Sequence, residues 1–133
     1  MSVSVDNLFT IVGAHGYIGS RLIHHLQNCN AKVTKIDRFD ETNHIGQNLG
    51  HVIFAAGVTA DFRQRPFDTM GSHISAAVEI LRQTTFKSFL YLSSTRVYQN
   101  ADNTLEDSAL RIEPKDPLQL YNASKLAGEA ICL

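Results

Sequence analysis

The chain lacks most of what marks a membrane, secreted, metal-binding or nucleic-acid-binding protein. No apolar run within its 133 residues approaches the roughly 20 needed to cross a bilayer. The opening MSVSVDNLF has neither a basic start nor a long apolar stretch, so no secretion signal is read there. The formal net charge is -1, which provides no basic field for nucleic acid or anionic lipid, and RQRPF (63–67) is too small a patch to substitute. There are only two cysteines, Cys29 and Cys132, far apart and in no paired motif; they read as reduced thiols of a cytoplasmic protein rather than as a disulfide. Six histidines are scattered without cysteine or carboxylate partners at ligand spacing, so no metal site is expected. The acidic stretch NADNTLEDS (100–108) lacks the glycine of a calcium loop, and no G-x-S-x-G turn supports a nucleophile triad.

What remains is an ordinary globular composition, 44% hydrophobic and 19% charged, with enough apolar residues to build one core. Strand-like and helix-like stretches alternate, which predicts an α/β fold: a parallel sheet of about four strands with helices on both faces. Strands are expected at Leu8 to Val12, 31–37, 51–57 and 88–94. The first helix is expected to bury Ile18, Leu22 and Leu26, with Ile23 beside them, and to fray near NCN. A second should start at Pro66 and bury Met70, Ile74, Ala77, Val78 and Leu81 on one face. Residues 99–119 read as a surface loop, and a last helix begins near Leu120 or Tyr121 and runs to Leu133. Only the short polar segment FDETNHIGQNLG separates the second and third strands, which leaves little room for a covering helix. Because the sequence stops inside a helical pattern, residues 1–133 read as one incomplete domain, a fragment or a natural truncation, without a substrate-binding C-terminal domain.

The stretch TIVGAHGYIGSRL puts Gly13, Gly16 and Gly19 at the joint between the first strand and the first helix. Glycine there permits positive φ and lets another group approach the backbone, while the helix aims unpaired N–H groups and its positive dipole end at that space. The first glycine suits the tight turn, the second the approach of a pyrophosphate, and the third close packing of helix on strand. The spacing is G-x-x-G-x-x-G, and a ligand-free turn is the plain alternative. Asp37 ends the second strand 18 residues after Gly19, where a carboxylate can accept from both ribose hydroxyls of NAD and repel the 2′-phosphate of NADP. Arg38 beside it can instead hold that phosphate, which keeps NADP open, and a solvated Asp–Arg pair is the third possibility.

Near the other end, YNASK places Tyr121 and Lys125 four residues apart on one helix face. A free phenol titrates at about 10, and an adjacent ammonium favours its ionised form, which equips such a pair for proton transfer. Tyr-x-x-x-Lys alone also arises by chance. YLSSTRVY adds Ser93, Ser94 and Thr95 at a strand's carboxyl end, where α/β sheets form ligand crevices, although hydroxyls there also serve as caps.

Taken together, GAHGYIGS, the Asp37 corner, FAAG (54–57), SSTRVY (93–98) and YNASK (121–125) stand in the order of a known family. The chain resembles the extended short-chain dehydrogenase/reductases, in particular the NAD-dependent nucleotide-sugar epimerases and dehydratases. The resemblance implies a Rossmann fold and bound NAD, with NADP possible. It implies cofactor contacts from Gly13, His15, Gly16, Tyr17, Ile18 and Gly19, from Asp37 and Arg38, and from Ala55, Ala56, Gly57 and Lys125. It makes Tyr121 the catalytic acid/base and Lys125 its partner. Ser94 becomes the substrate-positioning hydroxyl, because the family's Ser/Thr stands three residues before the Val of its Val-Tyr pair, here Val97-Tyr98. The full-length parent would act on a nucleotide-sugar, and a homodimer would form through the helices at 66–83 and 121–133. The sequence departs from the family in the short 38–50 segment, in His73 where a mid-helix asparagine is usual, and in having Phe54 before the paired alanines. The family's later strands and its substrate-binding region are also missing. This 133-residue chain is therefore expected to bind cofactor with weak or no turnover. The alternative is a non-catalytic Rossmann module that holds a dinucleotide or only a protein partner.

Overall fold

The computed structural model describes residues 5–38 and 44–133. Its centre is a parallel sheet of four strands, β1 (Leu8–Val12), β2 (Lys32–Ile36), β3 (His51–Phe54) and β4 (Ser88–Tyr91), in spatial order β2-β1-β3-β4. Strand β1 pairs on both sides, with Val12 opposite Ile36 and also opposite Phe54. It is a continuous apolar run because both of its faces are covered. On one face Ile11 packs with Ala14 and Ile23 under helix α1 (Tyr17–Asn28). On the other, Val12, Val52 and Phe54 pack with Ala77 and Ile80, and Phe54 stacks on Tyr91 at 5.3 Å.

Residues 66–83 form one continuous helical arm in three parts: α2 (Pro66–Met70), a π-helical turn (Gly71–Ser75) and α3 (Ala76–Gln83). Pro66 supplies the fixed φ of a first helical position. The buried face differs from the expected Met70–Ile74–Ala77–Val78–Leu81 stripe. The buried residues are Thr69, His73, Ala77 and Ile80, and Met70 is exposed. The wide π turn rotates the face, and the buried polar side chains are satisfied internally, with Thr69 Oγ1 donating to the Arg65 carbonyl at 2.8 Å. In α1 only Ile23 of the expected set is buried; Leu22 and Leu26 are half-buried, and Ile18 is exposed because it faces a crevice rather than the core.

The strands end earlier than expected: β3 stops at Phe54 and β4 at Tyr91, each followed by backbone that leaves the sheet at the crevice. After β4, Thr95–Tyr98 forms a 3₁₀ turn, and helix α4 (Gln119–Cys132) starts one or two residues ahead of the predicted point. Residues 99–118 carry no helix or strand. The polar linker between β2 and β3 falls partly outside the described residues; within it, Leu49 is buried and Asn48 bridges to Thr85. No helix among the described residues is long and apolar enough to cross a membrane.

Candidate active site at the carboxyl ends of the strands

The glycine bend is assembled by close backbone contact. Gly13 has φ +84°, and a Cβ there would stand 2.8 Å from the backbone N and Cα of Ala56. Its N–H donates to the Ile36 carbonyl at 2.7 Å, so β1 turns off against the end of β2. A Cβ on Gly19 would reach 2.1 Å from the Gly13 carbonyl oxygen, which is why α1 can lie so close to the strand it follows. Gly16 is the N-cap of α1, and no side chain caps that helix start. The free N–H groups of the first turn therefore remain for another acceptor.

Across the bend, the backbone N–H of His15 donates to Asp37 Oδ1 at 2.9 Å, and the His15 imidazole pairs with Asp37 Oδ2. Both groups are exposed, so the carboxylate keeps free lone pairs while being held over the bend. Arg38 follows Asp37 at the rim.

A crevice of about 280 Å³ opens beside the bend. One wall comes from Gly16, Tyr17 and Ile18, the floor from Ala55, Ala56, Gly57 and Val58, and the opposite wall from Leu92, Ser93, Tyr121 and Lys125. Residues far apart in the sequence thus share one cavity. A second cavity of about 320 Å³ adjoins it at Ala56 and is lined by Asp37, Arg38, Val12, Ser72, Ser75, Ala76 and Glu79.

Lys125 is buried and donates to the Leu92 carbonyl at 3.0 Å, with its ammonium 5.2 Å from the Tyr91 ring centroid. Burial pushes the ammonium down to about 8, only partly opposed by the charge of Glu129. Tyr121 lies between rings and a cation. Phe62 is 5.4 Å away, the Arg96 guanidinium 4.9 Å, and His73 stands edge-on at 5.0 Å. Arg96 itself spans Phe62 and Tyr121.

His73 is fully buried inside the π turn. Its Nε2 accepts from the Val58 N–H at 3.2 Å, so Nδ1 carries the proton and donates to Ser124 Oγ at 2.7 Å. Ser124 in turn donates to the Tyr121 carbonyl at 2.8 Å. Burial first, and then the Lys125 charge, pushes His73 down to about 4, so it is a neutral connector. Gly57 packs closely beside it, since a Cβ there would stand 3.1 Å from Nε2, a tight contact, and 3.6 Å from Lys125 Nζ.

The two neighbouring serines are placed differently. Ser94 Oγ accepts from the Arg96 N–H and caps the 3₁₀ turn. Ser93 lines the crevice, and its buried Oγ has no partner. The sequence named Ser93 beside Ser94, and the family resemblance favoured Ser94; the Arg96–Tyr121 stack and the Glu79 cavity had no sequence signal. Gly71-Ser72, a weak helix-forming pair inside a helical pattern, was the available sign of the shifted register around His73.

Parallel strands in this order, a glycine bend opening a helix, and a tyrosine and buried lysine at the strands' carboxyl ends define a Rossmann-type α/β fold with its crevice in the expected position. The chain belongs to the NAD dependent epimerase/dehydratase family, whose sequence model matches residues 9–133. Among solved structures it is similar to MoeE5 in complex with UDP-glucose and NAD, at 22% identity and a TM-score of 0.70, covering 94% of this chain and 48% of that one. It is similar to TunA, an NAD-dependent NDP-hexosamine 5,6-dehydratase of tunicamycin biosynthesis, at 20% identity and a TM-score of 0.72, covering 94% and 48%. A short-chain dehydrogenase/reductase superfamily protein from Agrobacterium tumefaciens with bound NAD matches at 17% identity and a TM-score of 0.72, covering 93% and 43%. The chain therefore spans about half the length of these proteins. No curated protein matches it.

Proposed function

We propose that the chain is the cofactor-holding part of an NAD-dependent enzyme acting on a nucleotide-sugar. The observation that carries this reading is the shared crevice, in which the uncapped start of α1 faces Tyr121 and Lys125. The N–H groups of Tyr17 and Ile18 would receive the cofactor's diphosphate, that of Gly16 being already given to the Gly13 carbonyl at 3.1 Å, and Asp37 would accept from the adenosine ribose. A carboxylate at that corner disfavours a 2′-phosphate. Arg65, the second arginine near Arg38, is already engaged by Asp61 at 3.2 Å and Asp68 at 3.0 Å, so NAD is preferred over NADP.

Bound NAD would supply hydride acceptance and return at its nicotinamide. Tyr121 would exchange the proton of the sugar hydroxyl. Lys125, held by the Leu92 carbonyl, would keep positive charge beside it and bind the nicotinamide ribose. Ser94, the family's hydroxyl position, or Ser93, whose Oγ is unpartnered, would orient the reacting oxygen.

The relatives are about twice as long, which favours cofactor binding without robust turnover by these 133 residues. A homodimer through the helical arm and α4 is part of the reading, supported by Phe67 (89% exposed) and Met70 (40% exposed) on that arm. The free cysteines fit a reducing, cytoplasmic setting. Separate titrations of NAD and NADP against wild type and Asp37→Ala test the core of the proposal. Saturable NAD binding that weakens in the variant supports it, and binding of neither dinucleotide overturns it. Sedimentation velocity giving only monomer at high concentration would remove the dimer.

A further inference from the structure

We infer that Glu79 selects the cofactor's base, making the second cavity specific for a 6-aminopurine over a 6-oxopurine. This rests on the cofactor reading above and adds to it a residue that no sequence motif marked.

The second cavity shares Ala56 with the crevice, so one ligand can span both, and Asp37 stands on its wall at the ribose corner. Beside Asp37 stand Arg38 and the hydroxyls of Ser72 and Ser75, and the rest of the lining divides by chemistry. Val12, Ala56 and Ala76 present apolar surface suited to the faces of a flat heterocycle. Glu79, one helical turn after Ala76, brings a carboxylate to the same space.

That carboxylate is oriented from its own helix. Gln83 Nε2 donates to Oε2, and Arg82 Nη1 is 3.8 Å from Oε1. The Glu79 side chain is 32% exposed while Arg82 is 71% exposed, so the acid faces inward and its cation outward. Two oxygens offer about four acceptor sites, and these contacts leave acceptor capacity toward the cavity. An exocyclic amino group donates to such an oxygen. A 6-oxo group is itself an acceptor and would set two acceptors against each other, losing a charge-assisted bond.

Nicotinamide hypoxanthine dinucleotide, the probe, carries an oxo group in place of that amino group and a proton on the adjacent ring nitrogen N1, with the rest of the molecule unchanged. Calorimetric titration of the purified chain should give NAD at least about tenfold tighter binding than the hypoxanthine analogue, the size expected for one hydrogen bond to a charged group. Glu79→Gln, whose amide can turn to donate, should bring the two affinities within about threefold, while melting temperature reports that the variant is folded. As a measurement independent of any variant, the Glu79 side-chain carboxyl ¹³C resonance should move on addition of NAD and much less with the analogue. Equal affinities in wild type, a preference that survives Glu79→Gln, or an unmoved Glu79 resonance overturns the assignment and leaves the cofactor reading standing. Failure of both dinucleotides to bind overturns the two together.

Discussion

His73 Nδ1 lies 2.7 Å from Ser124 Oγ, joining residues 51 positions apart. With the Val58 N–H on its other nitrogen, this one imidazole ties together the loop after β3, the π turn and the helix that carries Tyr121 and Lys125. The tie fixes the height of the crevice wall and leads to the first expectation.

His73→Ala should lower the unfolding free energy by about 3 kcal/mol, since it removes packed volume and strands a buried N–H. His73→Asn should cost less. The pH dependence has a definite sign. The folded group sits at about 4 against an ordinary 6.5, so the unfolded chain takes the proton first as pH falls. The stabilisation is complete above 6.5 and is lost as pH drops towards 4. Urea denaturation should show the gap between wild type and His73→Asn narrowing across that window. A constant gap would contradict a neutral buried imidazole.

Lys125→Met tests the neighbouring cation. Its folded value of about 8 lies below the ordinary 10.5, so between those values the unfolded chain holds the proton more firmly. The cost of burying the charge is present below 8 and fades as pH rises towards 10.5. Wild type should gain stability relative to Lys125→Met over that interval. Heteronuclear NMR of the lysine side chains should find one amine titrating well ahead of the rest.

The glycines separate steric need from conformational need. Gly19→Ala forces a methyl into the Gly13 carbonyl and should cost about 2–4 kcal/mol, with loss of dinucleotide binding. Gly46 has φ +73° with open space around it, so Gly46→Ala pays only for backbone strain, about 1 kcal/mol. Thermal denaturation of the two variants should rank them in that order.

Ser93 and Ser94 should part company. Ser94→Ala loses the bond that caps the 3₁₀ turn and should cost about 0.5–1 kcal/mol of stability. Ser93→Ala removes a hydroxyl with no partner, so stability should hold or rise slightly, while ligand affinity at the crevice falls. The paired measurements, melting temperature and NAD affinity, distinguish a cap from a ligand contact.

The features legible in the sequence were those encoded locally. The apolar run of β1, the glycines after it and Pro66 at a helix start each declare their geometry within a few residues, and the strands and helices formed where those signals stood. What depended on distant partners was hidden. His73 is polar and so was left off the core face, yet it is fully buried because Val58 and Ser124 satisfy it from 15 and 51 residues away. Ile18 was assigned to the core by periodicity, but the bend that precedes it turns its side chain into the crevice. Ser93 and Ser94 are equivalent by composition, and only the chain's departure from β4 decides which hydroxyl is used as a cap. Glu79 carried no signal in the sequence, because only the fold brings it to the same cavity as Asp37, 42 residues away.

Gly128 carries a consequence out of proportion to its size. A Cβ there would fall 2.2 Å from the Tyr91 hydroxyl, which donates to the His73 carbonyl at 2.8 Å, so α4 can come this close to Tyr91 only because of this notch. The tyrosine and lysine stand seven and three positions before the notch on the same rigid rod. Their elevation above the strands is thus calibrated from beneath, by a missing carbon outside the crevice wall they form. Efforts to retune the chemistry could begin there, shimming the rod and leaving every residue that touches a ligand as it is.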